Sequence, residues 1–338
     1  MRVRAEIRTL RLRTPMHISR STAAEVQVVD VEINHKGVYG RGEGTPSRRF
    51  GMSAQAACAL AESYADELGS DPFALEEITA SLDRHTEQTA VRAALDAALH
   101  DLRGQILGVP VWKLLGLRQT GPPTSWTIGI SDPDDVARQA ERMIGKFSRL
   151  KVKLGASDGL DVHRIQALRH VTDVPVRVDI NEAWTLDEAV DALPQLASLD
   201  VELCEQPLKA GDVNGPTLKR LSPIPIYLDE ECRTVADVAA SAIRGHGINV
   251  KLEECGGIRE ATRMVHAARR LGLGLMIGCN VASTLGIAPE VHIASLFDHA
   301  DLDGNLLVAD DPWMGIQLVN GRQVPTGQPG LGISRRTG

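Results

Sequence analysis

The 338-residue sequence contains no run of about 18 apolar residues, the length that a membrane-spanning helix requires. Its first residues, MRVRAEIRTL, lack the apolar core of a secretory signal peptide. No basic tract is present, and a net charge of −7 argues against nucleic acid as a partner. We therefore expect a cytoplasmic protein that binds neither membranes nor nucleic acid.

The sequence also lacks the cysteine pattern of a disulfide-stapled or zinc-binding protein. Its five cysteines are odd in number, and none of them forms a CxxC pair. This set argues against a disulfide framework and against a cysteine-ligated zinc site, and it fits a reducing compartment.

The full chain is 43% apolar and is long enough for a barrel of about 250 residues plus a smaller domain. Two different sequence patterns divide it. The first 45 residues alternate as strands do, with a turn at His35-Lys36-Gly37. Helical spacing follows over SAQAACALAESYADELGS (53–70) and over AVRAALDAALHDLRGQILG (90–108). Residues 1–118 are therefore predicted to form a small α+β domain.

From about residue 124, short apolar strands recur and each ends on a polar residue. They read SWTIGI, RLKVK, VRVDIN, ELCEQP, IYLDEE, INVKLE and LMIGCN, with helical segments between them. Five charged strand-end residues are spaced by 26, 26, 24 and 22 positions, namely Lys153, Asp179, Glu205, Asp229 and Lys251. This repeat predicts a parallel (β/α) barrel over residues 119–308, with active groups at the carboxyl ends of the strands. Residues 309–338 contain an Asn320-Gly321 hairpin turn and are predicted to pack back on the first domain.

Three consecutive strands of the predicted barrel end in a carboxylate. Because strand ends converge on one mouth, Asp179, Glu205 and Asp229 would repel one another unless a cation lay between them. Oxygen ligands without histidine or cysteine favour Mg²⁺. Three unrelated surface acids among the 44 of the sequence are the competing interpretation, but the placement at consecutive strand ends favours a magnesium site.

Lysines flank this trio, Lys153 on the strand before it and Lys251 on the strand after it. Two amines on opposite sides of a substrate suit removal of a proton next to a carboxylate, with Mg²⁺ stabilising the enediolate. Lys151 lies on the same strand face as Lys153, and its charge would lower the pKa of a catalytic amine beside it. A lysine pair that extends to solvent at a strand end is the alternative, and the complete set of five charged residues argues against it.

The segments KVK, VDINEAW, CEQP, LDEE and NVKLEECGG, in this order and spacing, resemble the enolase superfamily and specifically its muconate-lactonizing subgroup. The segment ALDAALHDLRGQILGVPVWKLLG resembles the helix that leads from the capping domain of that family into its barrel. The resemblance implies an α/β fold, a modified (β/α) TIM-type barrel with an N-terminal α+β capping domain that the C-terminal tail completes.

The resemblance also implies roles for particular residues. It implies that Asp179, Glu205 and Asp229 are the Mg²⁺ ligands. It also implies that Lys153 and Lys251 are the catalytic acid/base pair and that Lys151 assists them. It places Asn181 and Glu230 near the site. A catalytically silent barrel kept as a binding protein would be expected to lack at least one of the five core residues, and all five are present.

Two aspartates at the eighth strand end, HADLDGNLL, bear on the reaction. If the segment is extended, Asp301 and Asp303 point to the same side and form a pocket for a positive group, whereas a simple turn is the alternative. A DxD motif here resembles the dipeptide epimerases, in which it holds the free α-ammonium group. The resemblance implies a Mg²⁺-dependent dipeptide epimerase that inverts the α-carbon of the C-terminal residue by two-base 1,1-proton transfer. N-acylamino acid racemase, o-succinylbenzoate synthase and muconate-type cycloisomerase are the alternatives that use the same site.

The sequence does not determine which type of substrate side chain the protein prefers. Arg20, in the loop MHISRSTAAE, resembles a capping-loop arginine that pairs with an acidic substrate side chain. Glu253-Glu254 would instead favour a cationic side chain, or would stabilise the N-terminus of the following helix. Asn280, at the seventh strand end, is predicted to line the pocket. We also expect a homo-oligomer, because barrels of this size commonly self-associate.

Overall fold

The computed structural model describes residues 1–47, 49, 51–85 and 88–336. Its first three strands are β1 (Arg2–Ile18), β2 (Ser21–His35) and β3 (Val38–Gly44). They form an antiparallel sheet in the order β1-β2-β3. Lys36 and Gly37, between β2 and β3, have φ of 51° and 85°, which a two-residue hairpin turn requires, so the predicted turn is confirmed.

Four helices follow, namely α1 (Ala54–Ser63), α2 (Leu75–His85), α3 (Thr89–Leu107) and α4 (Val111–Leu114). Of these, α1 and α3 pack on the sheet, and α2 and α4 contact α3. A Cβ atom at Gly40 or Gly42 of β3 would collide with a carbonyl oxygen of α3, so glycine at these positions allows the helix to lie directly on the strand. Because strand residues alternate, the carboxylate of Glu43 points the other way, toward the barrel.

The helix predicted over residues 53–70 is wrong in its length. Ser53 caps α1 by accepting a hydrogen bond from the amide of Ala56, but the helix ends at Ser63. The amide of Ala65 bonds to the carbonyl of Glu62, only three residues earlier, so the i→i−4 series stops and turns follow. The helix predicted over residues 90–108 is confirmed as α3, which ends at Leu107 and is capped by Gly108 with φ of 68°.

Eight short parallel strands follow, paired in chain order. They are β4 (Trp126–Ile128), β5 (Leu150–Lys153), β6 (Val176–Asp179), β7 (Val201–Glu205), β8 (Ile226–Leu228), β9 (Gly247–Val250), β10 (Gly274–Gly278) and β11 (His299–Asp301). The first and last strands meet where the amide of Ser125 donates to the carbonyl of Ala300 at 3.2 Å, beside a parallel bridge between Thr124 and Ala300. This contact closes the sheet, and the predicted barrel fold is confirmed.

Helices surround the strands. They are α5 (Pro133–Met143), α6 (Asp161–Arg169), α7 (Leu186–Ser198), α8 (Gly215–Leu221), α9 (Val238–Arg244), α10 (Leu252–Cys255), α11 (Ile258–Arg270) and α12 (Thr284–Ile293). Side-chain alternation divides each strand between two environments. On β5 and just after it, Val152 and Leu154 are fully buried in the apolar layer beneath the helices, whereas Lys151 and Lys153 point into the barrel.

The C-terminal residues form short strands and contact both parts of the chain. The strands are β12 (Trp313–Met314), β13 (Ile316–Val319), β14 (Arg322–Pro325) and β15 (Ser334–Arg335). Positive φ at Asn320 and Gly321 confirms the predicted hairpin turn between β13 and β14. The amide of Leu331 donates to Asp101 of α3 at 2.8 Å. The domain boundaries at residues 118 and 308 stay predictions.

Among the described helices, none combines the length and the apolar composition that crossing a lipid bilayer requires. All five cysteines lie in the described part of the chain, and none of them forms a disulfide.

Candidate active site

Five consecutive strands, β5 to β9, bring five charged side chains to one mouth of the barrel. The carboxylates of Asp179, Glu205 and Asp229 are 0%, 0% and 2% exposed, so the barrel removes them from solvent. The ammonium nitrogen of Lys153 lies 2.6 Å from Asp179 Oδ2, and that of Lys251 lies 2.6 Å from Asp229 Oδ2. Because β5 and β9 are four strands apart in a barrel of eight, the two lysines approach the trio from opposite sides.

Lys151 connects the trio to the far wall of the barrel. Its Nζ lies 3.0 Å from Asp179 Oδ2, 2.6 Å from Glu205 Oε2 and 2.7 Å from Asp301 Oδ2. Burial alone would lower the pKa of Lys151, but these carboxylates outweigh burial and raise its pKa well above the usual range. The helper role predicted for Lys151 stays a prediction, and its three ion pairs were not predicted.

The carboxylates differ in how well their charge is compensated. Burial raises the pKa of Glu205 and of Asp229 to about 7 each. Burial also acts on Asp179, but three neighbouring ammonium groups outweigh it and hold the pKa of Asp179 well below its usual range. Two of the three carboxylates therefore carry a charge that the surrounding residues only partly stabilise.

This donor set fits Mg²⁺ by its chemistry. It consists of buried carboxylate oxygens with no histidine or thiol, which is what a hard divalent cation prefers. Glu205 Oε2 is buried and accepts no well-directed hydrogen bond despite its proximity to Lys151. Among the described residues, no three His, Cys, Asp or Glu side chains converge as a preformed metal site, and Lys151 Nζ contacts both Asp179 and Glu205.

Neighbouring polar groups orient the trio. Asn249 Nδ2 donates to Glu205 Oε1 at 2.9 Å, and the amide of Asp229 donates to Gln206 Oε1 at 2.9 Å. Asn181 has φ of 46°, and its backbone amide donates a hydrogen bond to Asp179 Oδ1 at 3.0 Å. Sequence reasoning missed Asn249 and Gln206. Asn249 could have been found, because it lies two positions before Lys251 on the same strand face.

The two aspartates at the end of β11 line the same cavity of about 190 Å³ as the three lysines. Asp301 Oδ1 is buried without a hydrogen-bond partner, and its Oδ2 bonds to Lys151. Asp303 accepts hydrogen bonds from the amide of Thr127 at 2.6 Å and from its hydroxyl at 3.2 Å. Burial, reinforced by the charge of Asp301, raises the pKa of Asp303 to about 7. The cavity therefore presents acceptor oxygens on the side opposite the trio.

The turn between β1 and β2 covers the mouth of the barrel. Arg20 Nη1 lies 2.8 Å from Glu230 Oε1 and 3.3 Å from the carbonyl oxygen of Asn181. Asn181 Nδ2 also donates to Glu230 Oε1, at 3.2 Å. The turn thus brings Arg20 to the site, as expected, but its guanidinium is already paired with a carboxylate of the barrel.

Glu253 and Asn280 lie on the side of the site that faces the first domain. Both line a cavity of about 170 Å³ between that domain and the barrel, and Asn280 also lines the cavity that contains the lysines. Glu253 is almost fully buried next to Glu290 of α12. Contact of either residue with substrate stays a prediction.

Glu253 and Glu290 allow a test of the buried electrostatics. Burial raises the pKa of Glu253 to about 7 and that of Glu290 well above its usual range; Glu254, Glu43 and Lys251 are the other charged groups nearby. The folded state therefore holds protons that the unfolded chain has released, so this pair makes the protein less stable as pH rises toward 7 and above.

We expect Glu290→Gln to raise the free energy of unfolding relative to the wild type. This increase should be larger at about pH 8 than at about pH 5.5, and the two increases should differ by roughly 1 kcal/mol or more. Urea denaturation at both pH values measures this difference. An equal effect of the substitution at the two pH values would contradict the raised pKa values.

With the geometry established, comparison with known proteins identifies the class. Residues 2–116 match the family model of the mandelate racemase / muconate lactonizing enzyme N-terminal domain, and residues 135–337 match that of the enolase C-terminal domain-like family. The chain therefore belongs to the mandelate racemase/muconate lactonizing enzyme family of the enolase superfamily, as the sequence motifs predicted.

Individual relatives are similar over nearly the whole chain. An L-Ala-D/L-Glu epimerase of Bacteroides thetaiotaomicron is 37% identical, over 94% of this chain and 82% of its own. A hydrophobic dipeptide epimerase of Roseobacter litoralis is 35% identical, over 96% of each chain. The structure of a dipeptide epimerase from Enterococcus faecalis V583, complexed with Mg and the dipeptide L-Leu-L-Tyr, has a TM-score of 0.95 and 30% identity, and covers 99% of each chain. The names of these relatives refer to dipeptides with different side chains, glutamate in one relative and hydrophobic residues in another.

Proposed function

We propose that this protein is a Mg²⁺-dependent dipeptide epimerase that inverts the α-carbon of the C-terminal residue. The observation that carries the proposal is the pair of opposed lysines, Lys153 and Lys251, each 2.6 Å from a carboxylate of one buried trio. The named activities of the relatives support a dipeptide substrate. They do not favour the N-acylamino acid racemase, o-succinylbenzoate synthase or cycloisomerase alternatives.

The sides of the cavity match three features of a dipeptide: its C-terminal carboxylate, its α-ammonium group and the α-carbon that is inverted. Asp179, Glu205 and Asp229 would hold the metal on the β6–β8 side, and the bound metal would attract the C-terminal carboxylate of the substrate. Asp301 and Asp303, across the barrel on the β11 side, accept the free α-ammonium group. The α-carbon then lies between the β5 and β9 sides, within reach of a lysine on each face.

The proton transfer uses the two lysines in turn. One lysine, as the free amine, accepts the α-proton from its face, and the other, as ammonium, delivers a proton to the opposite face. When bound, Mg²⁺ supplies positive charge that offsets the negative charge developing on the substrate carboxylate. The two lysines end with their protonation states exchanged, and exchange with solvent restores them. Arg20, on the β1–β2 turn, lies at the mouth of the site, where it is paired with Glu230.

Chiral analysis tests the proposed reaction. We expect incubation with an L-Ala-L-Xaa dipeptide and Mg²⁺ to yield the L-Ala-D-Xaa epimer, with the alanine unchanged and with EDTA stopping the reaction. Acid hydrolysis followed by chiral chromatography measures both residues. Inversion of the alanine, or no inversion with any dipeptide, would overturn the proposal.

Asp303→Asn tests the recognition of the free amino terminus. The substitution removes a negative charge from the ammonium side while an amide oxygen can still accept from Thr127. We expect KM for a free dipeptide to rise roughly tenfold, because a hydrogen bond between charged partners is replaced by a weaker one. An N-acetylated dipeptide, which lacks the ammonium, provides the comparison in the same steady-state assay. A variant that weakens both substrates equally would contradict this role and would favour an acyl substrate.

A further inference from the structure

The cavity that contains the lysines opens into a wider space beneath the first domain. This outer space has a volume of about 750 Å³, and it shares Arg20 and Asn280 with the inner cavity. Glu254, on α10, lines the outer space and the side cavity of about 170 Å³. A side chain attached to an α-carbon between the two lysines has the metal on one side and the aspartates on the other. The outer space is therefore where that side chain extends.

The cations around this route are already paired with carboxylates. Arg20 bonds to Glu230 at 2.8 Å, and Arg49 bonds to Glu182 at 2.6 Å. Their positive charge is offset before any substrate enters, so an acidic side chain would have to displace an existing ion pair.

Glu254 is paired less closely, since its two ion pairs, with Lys251 and Arg233, are long. Its carboxylate, with the side chain 12% exposed, lies 4.0 Å from Lys251 Nζ and 3.8 Å from Arg233 Nε. Within the described part of the chain, it accepts no hydrogen bond and has no closer ion pair. A mostly buried carboxylate that accepts no hydrogen bond, and whose ion pairs are this long, can accept a closer, hydrogen-bonded cationic group.

We propose that Glu254 selects dipeptides whose epimerised residue has a cationic side chain, lysine or arginine. This inference rests on the proposed epimerase function. The long side chain of such a residue passes Lys251 Nζ and places its ammonium or guanidinium group against the carboxylate of Glu254. Glu25, an exposed acid at the rim of the outer space, adds a second negative charge along the route. An acidic side chain would meet these two carboxylates as well as Arg20 and Arg49, whose charges are already paired.

The test compares kcat/KM for L-Ala-L-Lys, L-Ala-L-Glu and L-Ala-L-Leu with Mg²⁺ present. We expect the lysine dipeptide to exceed the glutamate dipeptide by roughly tenfold or more. Glu254→Gln should lower kcat/KM for the lysine dipeptide roughly tenfold and for the leucine dipeptide less than about threefold. Glu254→Lys should reverse the preference between the lysine and glutamate dipeptides.

Glu141→Gln is the matched control, because it removes the same charge from an exposed position on α5, outside the barrel mouth. It should leave all three kcat/KM values unchanged. A wild-type preference for glutamate or leucine, or an equal loss on lysine and leucine dipeptides in Glu254→Gln, would overturn this inference and leave the epimerase function standing. Turnover of none of the three dipeptides would overturn the epimerase function, and the inference with it.

Discussion

Lys153→Ala and Lys251→Ala are each expected to abolish epimerisation, with a loss of roughly a thousandfold or more, because each removes one of the two groups that handle the α-proton. The remaining lysine can still remove the α-proton from the face of the substrate that it contacts. Each variant should therefore still exchange the α-proton of one stereoisomer with solvent, and the two variants should act on opposite stereoisomers. Proton NMR in D₂O with the L,L and L,D dipeptides measures both exchange rates.

The lysine variants need a control for charge and for folding. Lys146→Ala removes an exposed lysine between α5 and β5 and should leave epimerisation unchanged. Circular dichroism establishes that the two site variants are folded, since each loses a buried ion pair with Asp179 or Asp229. If either site variant epimerised at the wild-type rate, or if both exchanged the same stereoisomer, a two-base mechanism with these lysines would be wrong.

Glu205→Gln is expected to remove the response of the protein to Mg²⁺. A ligand that binds only the folded state raises its stability, by about 2.7 kcal/mol at a concentration one hundred times Kd. The wild type should therefore melt at a higher temperature with saturating Mg²⁺ than with EDTA. The variant replaces one of three anionic donors by a neutral amide, so its melting temperature should be nearly independent of Mg²⁺, and epimerisation should fall at least about a hundredfold.

The same two measurements on Glu141→Gln distinguish the loss of a metal ligand from the general effect of removing one negative charge. That variant should keep the wild-type melting shift and the wild-type activity. Isothermal titration calorimetry gives the Mg²⁺ affinity directly and does not depend on turnover. An affinity of Glu205→Gln equal to that of the wild type would contradict the assignment of Glu205 as a ligand.

The barrel and its charged mouth could be predicted because both follow from local patterns. The strands from β5 to β9 are short, mainly apolar runs that end on a charged residue or are followed directly by one, and these charged residues recur at intervals of 22 to 26 positions. Strand alternation then places Lys151 and Lys153 on the inner face, where the structure has them. Convergence of the strand ends is a property of the fold class, so the five core residues follow together.

Contacts between segments distant in sequence could not be predicted. Arg20 pairs with Glu230, which is 210 residues away, and Asp303 bonds to Thr127, 176 residues away. Such pairs depend on strand register and on how the first domain lies on the barrel, and neither is visible in local spacing. The end of α1 at Ser63 was also missed, because the apolar pattern continues past it. The cytoplasmic location and self-association stay predictions.

Isotope incorporation during the first turnovers tests the central claim most directly. The wild type would be incubated with one epimer of a dipeptide substrate and Mg²⁺ in D₂O, and the product epimer analysed by mass spectrometry at early times. Because the second lysine delivers a solvent-derived proton, we predict that the product carries deuterium at the α-carbon from the start, and that EDTA prevents its formation. A product epimer that retains the original α-proton would contradict proton transfer between two lysines on opposite faces.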